Sequence, residues 1–290
     1  TRRISSAASD VYKRQKETLT EDGWYLANNK TDVEAMGFWA LHIDTMFFSV
    51  LLGALFLFVF TRAAQNFSLD KPTKLQLFIE MMIDFINGVV KGTFKAAQNS
   101  LIAPMALTIF FWVLLMNVMD LVPVDLIPYP AELLGIPYLK VVPTTDLNLT
   151  AALALSVFVL YLFYSIKSKG FVGFIKSISL HPFGPWMLPA NLFIEIIDLI
   201  AKTLYLELRL YGNLYAGEMI FLLIAGMVSI NLTSFMGLGL NLAGITLSLI
   251  WAIFHILIVV LQAFIFMMLT VVYMNTVSYT HLTLPTIFAV

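Results

Sequence analysis

The sequence predicts an all-α polytopic membrane protein with about five transmembrane helices, the last two long, tilted and paired as a hairpin. Two observations predict the class. Of the 290 residues 60% are hydrophobic and only 12% charged, against about 25% charged in an ordinary soluble domain. So little charge could not cover the surface of a soluble fold of this size. The apolar residues also run in unbroken blocks: no Asp, Glu, Lys or Arg stands between Asp44 and Arg62, between Lys95 and Asp120, between Asp146 and Lys167, or anywhere after Glu218. Blocks of about 17–25 apolar residues match a hydrocarbon core about 30 Å thick. A helix is the natural form there, because it satisfies every backbone polar group within its own segment.

The spans are expected at about 45–61, 101–119, 147–166, 191–227 and 240–275. The last two exceed a straight crossing, so they must tilt strongly or lie partly along the membrane. Gly226, Asn231, Gly237 and Gly239 mark the turn between them. Segment 120–146 holds five prolines and cannot be one regular helix; a re-entrant or interfacial loop suits it. Residues 1–15 (TRRISSAASDVYKRQ) and 277–290 (VSYTHLTLPTIFAV) fit poorly with what they flank. They read as adaptor or vector sequence around a membrane domain at 16–276, with genuine disordered termini as the alternative. No signal peptide is expected, since the first span can itself direct insertion.

Lysine and arginine in the loops set the orientation. Segment 62–100 carries Arg62, Lys71, Lys74, Lys91 and Lys95, and segment 167–191 carries Lys167, Lys169 and Lys176 without an acid. On the opposite side, 120–146 has Lys140 against Asp120, Asp125, Glu132 and Asp146. The basic loops therefore face the cytoplasm, with the N-terminus outside and the C-terminus inside. There is no cysteine, which excludes disulfides and thiolate metal sites. No basic domain is present to hold nucleic acid, and no cofactor motif was found.

The fourth span carries the chemistry: NLFIEIIDLIAKTLYLELRLYGNLYAGEMIF, residues 191–221. Arg or Asp at mid-helix costs about 2.5–3.5 kcal/mol each on insertion scales, so an uncharged helix would insert more easily. At about 100° per residue, Asp198, Lys202, Glu195 and Asn213 fall within about 40° of Arg209, while Glu207 and Glu218 lie on the far side. Glu195, Asp198 and Lys202 also fit a headgroup-level turn, with Asp198 and Lys202 a local i,i+4 pair. Arg209 has no acid on its own face within a turn. An arginine without a partner in its chain points to one supplied by another subunit.

The fifth span answers with Asn241, Ser248, His255 and Gln262, one polar residue every seven. Such a row drifts only about 20° per heptad on a straight helix. A lone histidine on an apolar face is usually a satisfied core residue. Within a row, opposite a helix offering Asn213 and Glu218, His255 reads instead as part of a water-lined proton relay.

At these residues the chain resembles subunit a of the bacterial F-type ATP synthase. LRLYGNLYAGE (208–218) and WAIFHILIVVLQAFIFMMLTVVY (251–273) are similar to that family's two signature segments nearly throughout. HIDTMFFSVLLG (42–53), LIAPMALTIFFWVLLMNVMDLVPVDLIP (101–128) and VVPTTDLNLT (141–150) extend the likeness over about 36–276. The resemblance implies a stator subunit whose long hairpin packs against a rotating ring of c subunits, each with an essential carboxylate. It further implies a subunit b stalk and the remaining ATP synthase subunits as partners, in a lipid bilayer, with no ATP chemistry in this chain. By position, Arg209 would face the ring carboxylate and separate two half-channels. Asn213, Glu218, His255 and Gln262, with Ser248 on their row, would line the outer one, and Glu195 the cytoplasmic exit. Asp120 and Asp146 would draw protons into the outer mouth, or be solvated loop acids. Glu207 departs from the pattern, standing where a small or apolar residue is expected.

Two rival classes fit less well. A stand-alone proton-coupled transporter would show internal repeats and broken midplane helices. A membrane hydrolase would need a nucleophile–base pair or a metal motif such as HExxH, and the four histidines, at 42, 181, 255 and 281, form neither.

Overall fold

The structure, a computed structural model, describes residues 42–69, 71–93, 101–122, 126–127, 129–130, 141–180, 185–228 and 235–279. These residues form six α-helices: α1 Ile43–Gln65, α2 Lys74–Thr93, α3 Ile102–Val118, α4 Leu147–Leu180, α5 Leu188–Val228 and α6 Phe235–Tyr279. Five of them, all but α2, are long and apolar enough to cross a membrane. A 41-residue α5 is about 61 Å long at 1.5 Å per residue. That is about twice the bilayer core, in line with the expected tilt.

Three boundaries differ from the sequence expectation. Helix α2 lies in what read as a basic loop. Its buried Gln76, Ile79, Ile86 and Val90 form one stripe, while Lys74, Glu80, Asp84 and Lys91 interrupt any uncharged run. Helix α4 continues to Leu180 through Gly170, whose φ of 71° and ψ of 161° are non-helical; only a residue without Cβ takes that conformation easily. The loop expected from 167 is thus mostly a second helical piece beyond a kink. Finally, Gly226 lies inside α5, and Gly237 and Gly239 inside α6. Those three glycines therefore do not mark a turn, while Asn231 lies outside the described residues, as do 1–15, 280–290, Asp125, Glu132 and Lys140.

Helix α3 is the central post, buried on most sides through Ala106, Phe110, Phe111, Val113, Met116 and Asn117. It packs on α1, α2 and α6, while α4, α5 and α6 pack on one another. Phe56 and Phe111 stack at 5.6 Å between α1 and α3. Ala106 on α3 and Ala263 on α6 are fully buried, and such small side chains let helix backbones approach in a membrane. At its C-terminal end α3 tightens to a 3-10 turn, Met119–Leu121, and leaves the helix at Val122 with ψ 131°. Pro123 follows, and a residue before proline is driven toward extended backbone.

Antiparallel neighbours set the register. The Trp112 indole N–H donates to the Ser49 carbonyl at 2.9 Å, and Ser49 Oγ meets Met116 Sδ at 3.4 Å. Thr45, one turn beyond Ser49, therefore stands at the depth of Asp120, one turn beyond Met116.

Candidate functional site

The polar groups of α3, α5 and α6 meet in a track that begins at the end of α3. Asp120 Oδ2 lies 2.7 Å from His255 Nε2, with side chains only 5% and 1% exposed. The fully buried Asn117, one turn further in, donates from Nδ2 to the Val259 carbonyl at 3.5 Å. Two turns from His255 along α6, Gln262 Oε1 accepts from Asn213 Nδ2 at 3.1 Å, and its own Nε2 donates to the Arg209 carbonyl. His255 and Gln262 are seven residues apart, about 10.5 Å along a helix. The track thus leads from the C-terminal end of α3 to the backbone of Arg209.

Arg209 itself is half-buried, its Cζ 5.6 Å from the centre of the Tyr205 ring. None of the ion pairs among the described residues includes it. Around it, Leu204, Tyr205 and Leu208 are exposed while Leu206 and Leu210 are buried. The guanidinium therefore sits at the edge of an uncovered apolar face of α5.

Glycine 217 is a positioning element the sequence did not single out. A Cβ there would lie 2.5 Å from His255 Cε1 and 2.6 Å from Nδ1, so the imidazole occupies the space a side chain would need. The Phe221 ring meets the imidazole edge-on at 5.4 Å. The Trp251 indole N–H reaches the Gly217 carbonyl at 3.4 Å.

A second histidine–carboxylate pair stands at the start of α1 and α4. His42 Nδ1 is 2.8 Å from Asp146 Oδ2, close enough for an ion pair but without a hydrogen bond of ordinary geometry among the described residues. Asp146 Oδ2 also accepts from Thr45 Oγ1 at 3.2 Å, and Oδ1 accepts the Asn148 N–H at 3.1 Å. His42 was not among the expected site residues.

One of the two readings of Asp120 and Asp146 falls away: they are not solvated loop acids, since both carboxylates are buried against imidazoles. His255 meets Asp120, and Glu218 is exposed on α5. The remaining residues are dispersed. Ser248 is half-buried on the α6 row and takes no part in these hydrogen bonds. Buried Asn241 donates to the Gly237 carbonyl one turn back. Asp198 and Lys202 form the local i,i+4 ion pair on a half-exposed surface. Glu195 is half-buried near the kink of α4; burial lowers the pKa of Lys169 there, and the Glu195 charge partly offsets the shift. Glu207 is half-buried and joins no ion pair among the described residues.

Comparison with known proteins identifies the family. The family model described as ATP synthase A chain matches residues 45–275. A protein of Shewanella baltica named ATP synthase subunit a is 52% identical over 267 residues, covering 91% of this chain and 98% of its own. A Marinomonas protein of the same name is 50% identical over 291 residues, 96% of this chain and 99% of its own. One from Shewanella loihica is 53% identical over 267 residues, again 91% and 98%. The match takes in α1 to α6 and every residue of the track from Asp120 to Arg209: the chain belongs to the ATP synthase A chain family.

Proposed function

We propose that this subunit of the ATP synthase membrane sector turns proton flow into rotation by presenting Arg209 to carboxylates on a passing ring of c subunits. One observation carries the reading: a guanidinium deep in an apolar helix, at the edge of an uncovered face, in no ion pair among the described residues. A carboxylic acid that meets this fixed positive charge has its pKa lowered and releases its proton. The same charge repels a proton moving directly between the two half-channels, which would otherwise short-circuit the gradient. Arginine suits both tasks, because it stays protonated where a desolvated lysine can lose its charge.

In this reading Asp120, His255, Asn213 and Gln262 carry protons from the outer side to the ring, with Asp146, Glu218 and Ser248 nearer the entrance. Glu195 stands on the cytoplasmic exit. Each charge crossing 100 mV yields about 2.3 kcal/mol, so several protons must be coupled to each ATP. The basic segments 62–100 and 167–191 face the cytoplasm, leaving the N-terminus outside and the C-terminus inside. Subunit b would hold the chain against the ring's drag. The membrane domain is 16–276, with adaptor- or vector-derived sequence at 1–15 and 277–290.

Because the chain has no cysteine, a single thiol can probe the ring contact. Leu208→Cys, on the exposed face beside Arg209, is expected to form a disulfide with a cysteine placed one turn from the mid-helix carboxylate of a co-purifying two-helix subunit. Cross-linking only to other subunits, or to none, would overturn the assignment of that face.

A further inference from the structure

We propose that His42 is a second proton-transferring imidazole, at the outer entrance, which hands protons to Asp146 ahead of the Asp120–His255 pair. The inference rests on the proton-channel reading above and assigns a role to a residue outside it. Three observations support it.

The first is the gradient of exposure across the pair. The His42 side chain is 28% exposed and that of Asp146 6%, so the imidazole reaches the surface and the carboxylate does not. The second is that the carboxylate is fixed: Thr45 Oγ1 and the Asn148 N–H hold its two oxygens, and Thr45 is itself tied to the His42 carbonyl at 3.0 Å. A held acceptor 2.8 Å from an imidazole nitrogen needs only a small ring rotation for transfer.

The third is what surrounds the two histidine–carboxylate pairs. The register of α1 on α3 puts Thr45, and hence Asp146, at the depth of Asp120. Near them, Asn117 Oδ1, Thr144 Oγ1 and His255 Nδ1 are buried with no hydrogen-bond partner among the described residues, in residues at most 1% exposed. Buried polar atoms of this kind are ordinarily met by internal water. Polar groups of that kind give a proton a hydrated route from one carboxylate to the other. Among the described residues the charged groups at this end are Asp44 on the same helix, Asp146 at the start of α4 and, at the same depth, Asp120 at the end of α3.

The step balances simply. A proton from outside water binds Nε2 and makes the imidazolium. The Nδ1 proton then passes to Asp146 Oδ2, leaving neutral imidazole and a neutral carboxyl group. The carboxyl proton moves on through water to the Asp120 carboxylate, and Asp146 is restored. Imidazole is the side chain suited to this between pH 5 and 8.

The test is ATP synthesis by the whole enzyme in proteoliposomes under an imposed proton gradient, with the outer-side pH varied from 5 to 8. His42→Asn keeps a polar group that does not titrate, and His42→Ala leaves room for added imidazole. Both are expected to lose rate several-fold toward pH 8, where protons are scarce, with little loss at pH 5. Imidazole should restore His42→Ala beyond its effect on the wild type. A wild-type profile in both variants would overturn the proposal. So would a loss equal at every pH and untouched by imidazole, the mark of a structural role. If His42→Ala does not assemble, the pH profile of His42→Asn decides. Arg209→Ala run alongside separates the two readings: coupled synthesis there would overturn the channel reading itself. An inactive Arg209→Ala with unaltered His42 variants would overturn only the role of His42.

Discussion

The two ends of the polar track treat buried charge in opposite ways. At the end where α3 finishes and α1 and α4 begin, the outer end in the proposed orientation, each carboxylate has an imidazole beside it, Asp120 with His255 and Asp146 with His42. Seven residues along α6, Gln262 reaches the backbone carbonyl of Arg209 rather than its side chain, and the guanidinium is left with an aromatic neighbour, Tyr205. A group that only stabilises the fold would be paired within it, because an unpaired charge in low dielectric is costly. The outer groups can pass protons among themselves. In the proposed reading Arg209 is kept for a partner that arrives and leaves.

Substitutions at the outer end should weaken both structure and flux. Asp120→Leu, which removes the partner of a buried imidazole, is expected to cost about 1–3 kcal/mol of stability and most of the proton flux. Thermal unfolding of the detergent-solubilised complex and vesicle acidification measure the two. Gly217→Ala tests the same end from the other helix, since a Cβ 2.5 Å from the ring must displace His255. Overpacking of this sort costs about 1–3 kcal/mol, and flux should fall further than in a substitution such as Gly226→Ala, where a Cβ meets nothing within 4 Å.

Smaller effects are expected toward and beyond Arg209. Gln262→Leu removes one hydrogen bond to Asn213 and one to the Arg209 carbonyl, each worth about 1 kcal/mol. Slower flux with the complex intact is the expected result, and wild-type flux would remove Gln262 from the path. Asp198→Asn breaks an ion pair that is about half exposed, where such pairs contribute about 0–1 kcal/mol. Stability and flux should both stay near wild type, which would mark that end of α5 as a solvated surface.

Much of this was legible in the sequence where one helix carries the whole signal. Charge-free runs located four of the five spans, and the seven-residue period put His255 and Gln262 on one row. Contacts between helices were not legible. The partner of His255 is 135 residues away in the chain, and no periodicity on α6 could select Asp120 over Glu218. His42 and Asp146 are 104 positions apart and come together only because α1 starts where α4 starts. Helix α2 was missed because its charged residues break the run that identifies a span, although its apolar stripe keeps the helical period. Gly217 sits within a recognised motif, yet the reason for a glycine there is the ring of another helix.

The central claim is that Arg209 is half of an intersubunit switch, and one measurement tests it most directly. In vesicles containing the assembled ATP synthase with Arg209→Ala, ATP-driven proton uptake and ATP hydrolysis are followed together. The account predicts an assembled complex with no ATP-driven uptake, because ring carboxylates no longer meet a fixed positive charge that makes them release protons. Uptake at the wild-type ratio of protons to ATP would contradict it.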